Sequence, residues 1–156
     1  MSMTTTAEAF TGAQAETLGI LVNMIIPASE DLGLPGAGDG RIMTDILATA
    51  ARQRKAVATA LAALDKISLA IGNLDFAKLG APARDDAVAA FRRKHADGAG
   101  ILATITTQCY YRDDRVMRSL NMAARPPFPL GFEVDQGDWP LLDPVRGSRP
   151  IYRETP

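Results

Sequence analysis

Proline and alanine occupy opposite ends of this chain, and that partition constrains its fold more than any motif. Seven of the ten prolines fall in the last 31 residues, whereas all 26 alanines lie at or before Ala124. Alanine is the best helix former and proline the worst, by about 3 kcal/mol per residue in a helix interior. The partition predicts an all-α fold: a small bundle of about five helices over residues 1–123, then an extended, Pro- and aromatic-rich C-terminal tail over 124–156. We find no internal repeat and no alternating strand pattern of useful length in the body.

Local signals place the helices. Thr11 and Gln14 have capping-box spacing, so the first helix starts near Thr11 and stops before Pro27. Its residues Leu18, Ile20, Leu21, Val22, Met24, Ile25 and Ile26 point nearly all round the axis, which predicts a buried helix at the centre of the bundle. Residues 27–40, PASEDLGLPGAGDG, form a loop, and Asp39 suits the N-cap of the next helix. Two apolar stripes follow, Ile42 to Ala50 and Val57 to Ile71, as one long helix or two, with Gly72 as the C-cap. Pro82 opens a further helix that ends in Arg92, Arg93 and Lys94. Gly98 and Gly100 then break the chain. Another helix spans about Ile101 to Tyr111, and Asp113 or Asp114 caps a short one through Met122.

Composition removes much chemistry. The chain has one cysteine, Cys109, and one histidine, His95. No intrachain disulfide can form, a Cys/His zinc site lacks ligands, and any nucleophile–His apparatus would have to use His95 itself. A formal charge of −1 gives no broad basic face, which argues against nucleic acid as a partner and against pull toward an anionic membrane. The longest apolar run, Leu18 to Ile26, is too short to cross a bilayer, which takes about 20 residues. The first Lys or Arg is Arg41, so no basic or twin-arginine leader is visible. The expectation is therefore a cytoplasmic chain as written.

Each reactive group has a plain structural reading. Gly36-Ala37-Gly38-Asp39-Gly40 resembles a phosphate loop only superficially, because it follows a helix rather than a strand. Glu30, Asp31, Asp39 and Asp45 lack the ligand spacing of a calcium loop. His95 reads as a helix-terminal residue and Cys109 as a buried, inert thiol. Tyr110 and Tyr111 read as one buried ring beside one interface ring. Arg146, Arg149 and Arg153 have the charge for a phosphate cofactor, but Asp138, Asp143 and Glu154 beside them favour ion pairs at an interface.

The tail is not built like a disordered one. It holds Phe128, Phe132, Trp139 and Tyr152, four of the nine aromatics in the protein, together with Leu141, Leu142, Val145 and Ile151. Apolar anchors on a proline-stiffened backbone lose little entropy on binding and suit a partner's groove.

Two stretches carry a resemblance. One is Leu18-Gly-Ile-Leu-Val-Asn-Met-Ile-Ile-Pro27-Ala-Ser-Glu30-Asp31 with Leu34-Pro35-Gly36-Ala37. The other is Cys109-Tyr-Tyr111-Arg-Asp113, Arg125-Pro-Pro127-Phe-Pro129-Leu-Gly131-Phe132, Leu142-Asp-Pro144-Val-Arg146 and Ile151-Tyr152-Arg153. Together they resemble the gluconate 2-dehydrogenase subunit 3 family. The resemblance implies an accessory small subunit without catalytic, cofactor-binding or metal-binding residues of its own. Its partner would be a large FAD-containing dehydrogenase of the glucose–methanol–choline (GMC) type that oxidises a sugar or related alcohol. Some such complexes add a cytochrome c subunit, and the resemblance implies a periplasmic chain if a twin-arginine signal was removed or is carried by the partner. The expected partner-binding residues are Tyr111, Pro127, Phe128, Pro129, Phe132, Trp139, Arg146, Arg149, Tyr152 and Arg153. A stand-alone helical small-molecule-binding protein and a homo-oligomeric scaffold are the alternatives.

Overall fold

The computed structural model describes residues 10–124, 131 and 137–148. The chain divides into two compact units, Met1–Ala124 and Arg125–Pro156. Among the described residues the first unit is all-α. It consists of α1 (Gly12–Ile25), α2 (Gly40–Ala51), α3 (Arg54–Gly72), α4 (Ala81–Lys94), α5 (Ala96–Tyr110) and the short α6 (Asp114–Ser119), with a 3-10 turn at Phe76–Lys78.

The local signals at the helix starts hold. The Thr11 hydroxyl accepts from the Gln14 amide at 3.2 Å, and the Gln14 side chain accepts from the Thr11 amide at 3.1 Å. Asp39 caps α2 by accepting from the Arg41 amide, and Asp113 caps α6 by accepting from the Arg115 amide. The two stripes after Asp39 belong to two helices. The amides of Arg52 and Gln53, just past α2, donate to carbonyls three residues back, and Gln53, at φ −121°, resets the axis before α3.

Three expectations are corrected. First, the chain does not break at Gly98 and Gly100; α5 runs through both. A Cβ at Gly98 would sit 3.1 Å from Ala60 Cβ, so this glycine lets α5 approach α3 closely. The break lies at His95, which ends α4 and precedes α5 with φ −135°, ψ 53°. Second, Gly72 is the last residue of α3, and Asn73 takes the left-handed position at φ 53°. Gly72 leaves room for Leu79, whose Cδ2 would lie 2.6 Å from a Cβ there.

Third, α1 is not central. It buries Thr17, Leu18, Leu21 and Val22 and leaves Ile20, Met24 and Ile25 half-buried. The hub is α5, which packs against α1, α2, α3 and α4, together with α3. The core they surround includes Leu18, Ile42, Ile46, Leu61, Leu64, Phe91, Leu102 and Val116. Phe76 joins it, fully buried, although no periodic pattern announces it. Its amide donates to Asp65, and Arg84 donates to the carbonyls of Phe76 and Ala77.

In the second unit a further correction applies. Residues expected to be non-helical form a 3-10 turn at Trp139–Leu142 followed by α7 (Asp143–Arg146). Pro140 and Pro144 sit in the first turn of each, where a missing N–H costs nothing and a fixed φ helps.

Candidate partner-docking surface

The loop between α1 and α2 is packed down rather than left open. Ser29 and Leu34 pair through two backbone hydrogen bonds, and Gly33 turns between them at φ 61°. The Ala37 amide donates to the Ile26 carbonyl, and Ala37 is fully buried. Gly36 and Gly38 lie against the Asn23 side chain, where any Cβ at Gly36 would collide with its amide oxygen. The glycines therefore serve close packing, in keeping with the reading of this segment as a plain turn.

This loop meets the α5–α6 junction, so the two stretches singled out in the sequence touch in space. The Tyr110 hydroxyl donates to the Pro35 carbonyl at 3.1 Å. Cys109 Sγ lies 3.4 Å from Thr49 Oγ1 on α2. Arg115 spans the two caps: its guanidinium donates to Asp39 at 2.6 Å and to Asp113 at 2.9 Å. Arg41 pairs with Asp114, which also pairs with Arg118, and Arg112 pairs with Asp45.

The electrostatics follow from these contacts. The Arg115 guanidinium, with the Arg115 amide, holds the Asp113 carboxyl at about 2 and also lowers Asp39. Both carboxylates are ionised at neutral pH and engaged, so they hold the loop to α6 rather than move protons. Burial pushes the Cys109 thiol and the Tyr110 hydroxyl upward. Cys109 is thus the buried thiol the sequence suggested. His95 stacks on Phe91 at 5.9 Å between centroids, at the end of α4. Among the described residues no group of three or more His, Cys, Asp or Glu is placed to hold a metal, and no helix is long and apolar enough to cross a membrane.

Three of the ten expected partner-binding residues are described: Tyr111, Trp139 and Arg146. Tyr111 meets Tyr110 edge-on and is 53% exposed while Tyr110 is buried, the division the sequence suggested. Trp139 is 56% exposed in the second unit, where Leu141, Leu142 and Val145 are exposed as well. Arg146 pairs with Asp143 one turn back at 3.4 Å, an ion pair within the chain. The other expected residues (Pro127, Phe128, Pro129, Phe132, Arg149, Tyr152 and Arg153) lie outside the described residues.

Sequence reasoning missed the Arg115 bridge. Its trace is there: an Asp-x-Arg pattern occurs at Asp39–Arg41 and again at Asp113–Arg115, each Asp being a helix cap. It also missed exposed apolar side chains on the body, among them Leu32, Leu120 and Met122.

Comparison with known proteins gives one family. A family model described as "Gluconate 2-dehydrogenase subunit 3" matches residues 12–124. No curated protein and no solved structure matches the chain.

Proposed function

The chain belongs to the gluconate 2-dehydrogenase subunit 3 family, and from that premise we propose that it is a non-catalytic small subunit that docks on and stabilises a large FAD-dependent dehydrogenase. The family name gives the coarser statement, a subunit of a gluconate 2-dehydrogenase complex. The finer assignment is this: the partner is of the GMC type, carries the flavin and oxidises a CH–OH group of a sugar or sugar derivative. Docking supports the folding and maturation of that partner. A cytochrome c subunit is a further partner in this proposal.

One observation carries the reading. Trp139, Leu141, Leu142 and Val145 are all exposed on two proline-opened helical turns. Fully burying a large apolar side chain is worth about 1.5–3 kcal/mol. These four, already partly covered, contribute about half of that each, before association costs are subtracted. Exposed apolar side chains gathered on one short segment suit an interaction site.

Co-expression tests it. The large subunit is produced with the full chain or with a chain lacking residues 125–156. The full chain is expected to yield a soluble, flavin-loaded complex, and the shortened chain an insoluble or flavin-free large subunit. A shortened chain that still co-purifies with active partner refutes the docking role of this segment. A full chain that stays alone and binds a small molecule would favour a stand-alone binding protein instead.

A further inference from the structure

Between α3 and the α4–α5 junction the body opens into a cleft of about 760 Å³. Its floor is apolar and small: Ala60, buried, and Ile101, half-buried, lie beside the point where Gly98 brings α5 against α3. Its exposed mouth is cationic, with Lys55 from α3 and Arg93 and Lys94 from α4. Asp97 is the one acidic residue of the lining.

These cations differ from four arginines of the body. Arg41, Arg112, Arg115 and Arg118 each face a carboxylate. Lys55, Arg93 and Lys94 form no ion pair with any described residue. Arg93 and Lys94 complement the C-terminal end of α4. Lys55, near the start of α3, has no such reason to be there. A chain of formal charge −1 thus concentrates positive charge around one apolar recess.

We infer that this cleft receives an acidic, partly apolar segment of the large dehydrogenase subunit. The inference rests on the docking role proposed above and adds a second contact, on the helical body, with its chemistry stated. Carboxylates of the segment would meet Lys55, Arg93 and Lys94, and an apolar side chain would rest on Ala60 and Ile101. Complementary charge of this kind steers encounter and fixes register. A bilayer is the poorer occupant, because a plane of headgroups touches the rim and leaves a concave floor empty.

The test uses the full chain and the large subunit together. The variant Lys55→Glu/Arg93→Glu/Lys94→Glu reverses the mouth. Arg52→Glu/Lys66→Glu/Lys78→Glu makes the same change in net charge at residues outside the lining. Circular dichroism shows whether each keeps the helical fold. Measured by titration, the mouth variant should bind the large subunit about tenfold more weakly, from the loss of three solvent-screened ion pairs. The control should stay within about twofold by the same reasoning. High salt should weaken the wild-type chain and narrow the gap between it and the mouth variant.

Equal binding by the mouth variant and the wild-type chain overturns the cleft inference and leaves the docking role standing. A wild-type chain that does not hold the large subunit at all overturns the docking role, and the cleft inference with it. Sedimentation with phosphatidylglycerol vesicles, abolished in the mouth variant while subunit binding is kept, reassigns the cleft to lipid and also overturns the inference.

Discussion

The Asp113→Asn variant isolates one charge at the junction that ties the loop to α6. Asparagine keeps the oxygen that accepts from the Arg115 amide and caps a helix as well as aspartate does, so the cap survives. What is lost is the charge facing the Arg115 guanidinium, 2.9 Å away. The Asp113 side chain is 5% exposed, and its carboxyl is held at about 2 against an ordinary 3.8. That difference corresponds to about 2 kcal/mol. Arg115 is itself 36% exposed, and solvent screens its share, so about 1–2 kcal/mol is expected at pH 7. The sign follows from linkage. The folded-state value is depressed, so the stabilisation is complete above 3.8 and fades as pH falls toward 2. Urea unfolding of wild type and variant at pH 7, 5, 4 and 3 reads the difference directly. It should be full at pH 7 and 5, and roughly halved at pH 3, from the two values for Asp113. An equal gap at every pH, or no gap at pH 7, would refute the assignment of the charge to this bridge.

Three further outcomes follow from the packing. Phe76→Ala should cost about 3–5 kcal/mol, because the ring is fully buried, and would show as a lower urea midpoint with an unchanged slope. Gly98→Val should cost about 1–3 kcal/mol by forcing α5 off Ala60, whereas Gly100→Ala, with open space at its Cβ, should stabilise by about 0.5–1 kcal/mol. Cys109 should resist thiol reagents at pH 8 in the folded chain and react fully in denaturant, since burial both covers the sulfur and raises its pKa.

What was legible in the sequence was local. The Thr11 box, the Asp39 and Asp113 caps and the basic last turn of α4 depend on neighbours within a turn, and the structure places them as read. What failed depended on distant partners. Gly98 looks like a breaker until Ala60 stands beside it; Gly72 looks like a cap until Leu79 needs its space. The Arg115–Asp39 contact joins residues 76 apart, and no periodicity reports it. Phe76 is an isolated aromatic in a turn, so no stripe marks it as core. Helix α1 misled for another reason. An apolar face signals burial but not its depth, and Ile20 and Met24 are half-buried where full burial was expected. In the second unit, Pro140 and Pro144 open helical turns, although proline bars a helix interior.

Trp139 is the only tryptophan in the chain, so 5-fluorotryptophan places a single fluorine label on the proposed docking segment. The shift of its resonance between H2O and D2O measures how much water reaches the ring. With the ring 56% exposed, the isolated chain should give a clear isotope shift. Adding the unlabelled, flavin-carrying large subunit should shrink that shift toward zero and broaden the line, because the ring becomes covered in a larger particle. An isotope shift that stays the same in the presence of the soluble large subunit would contradict the docking of this segment.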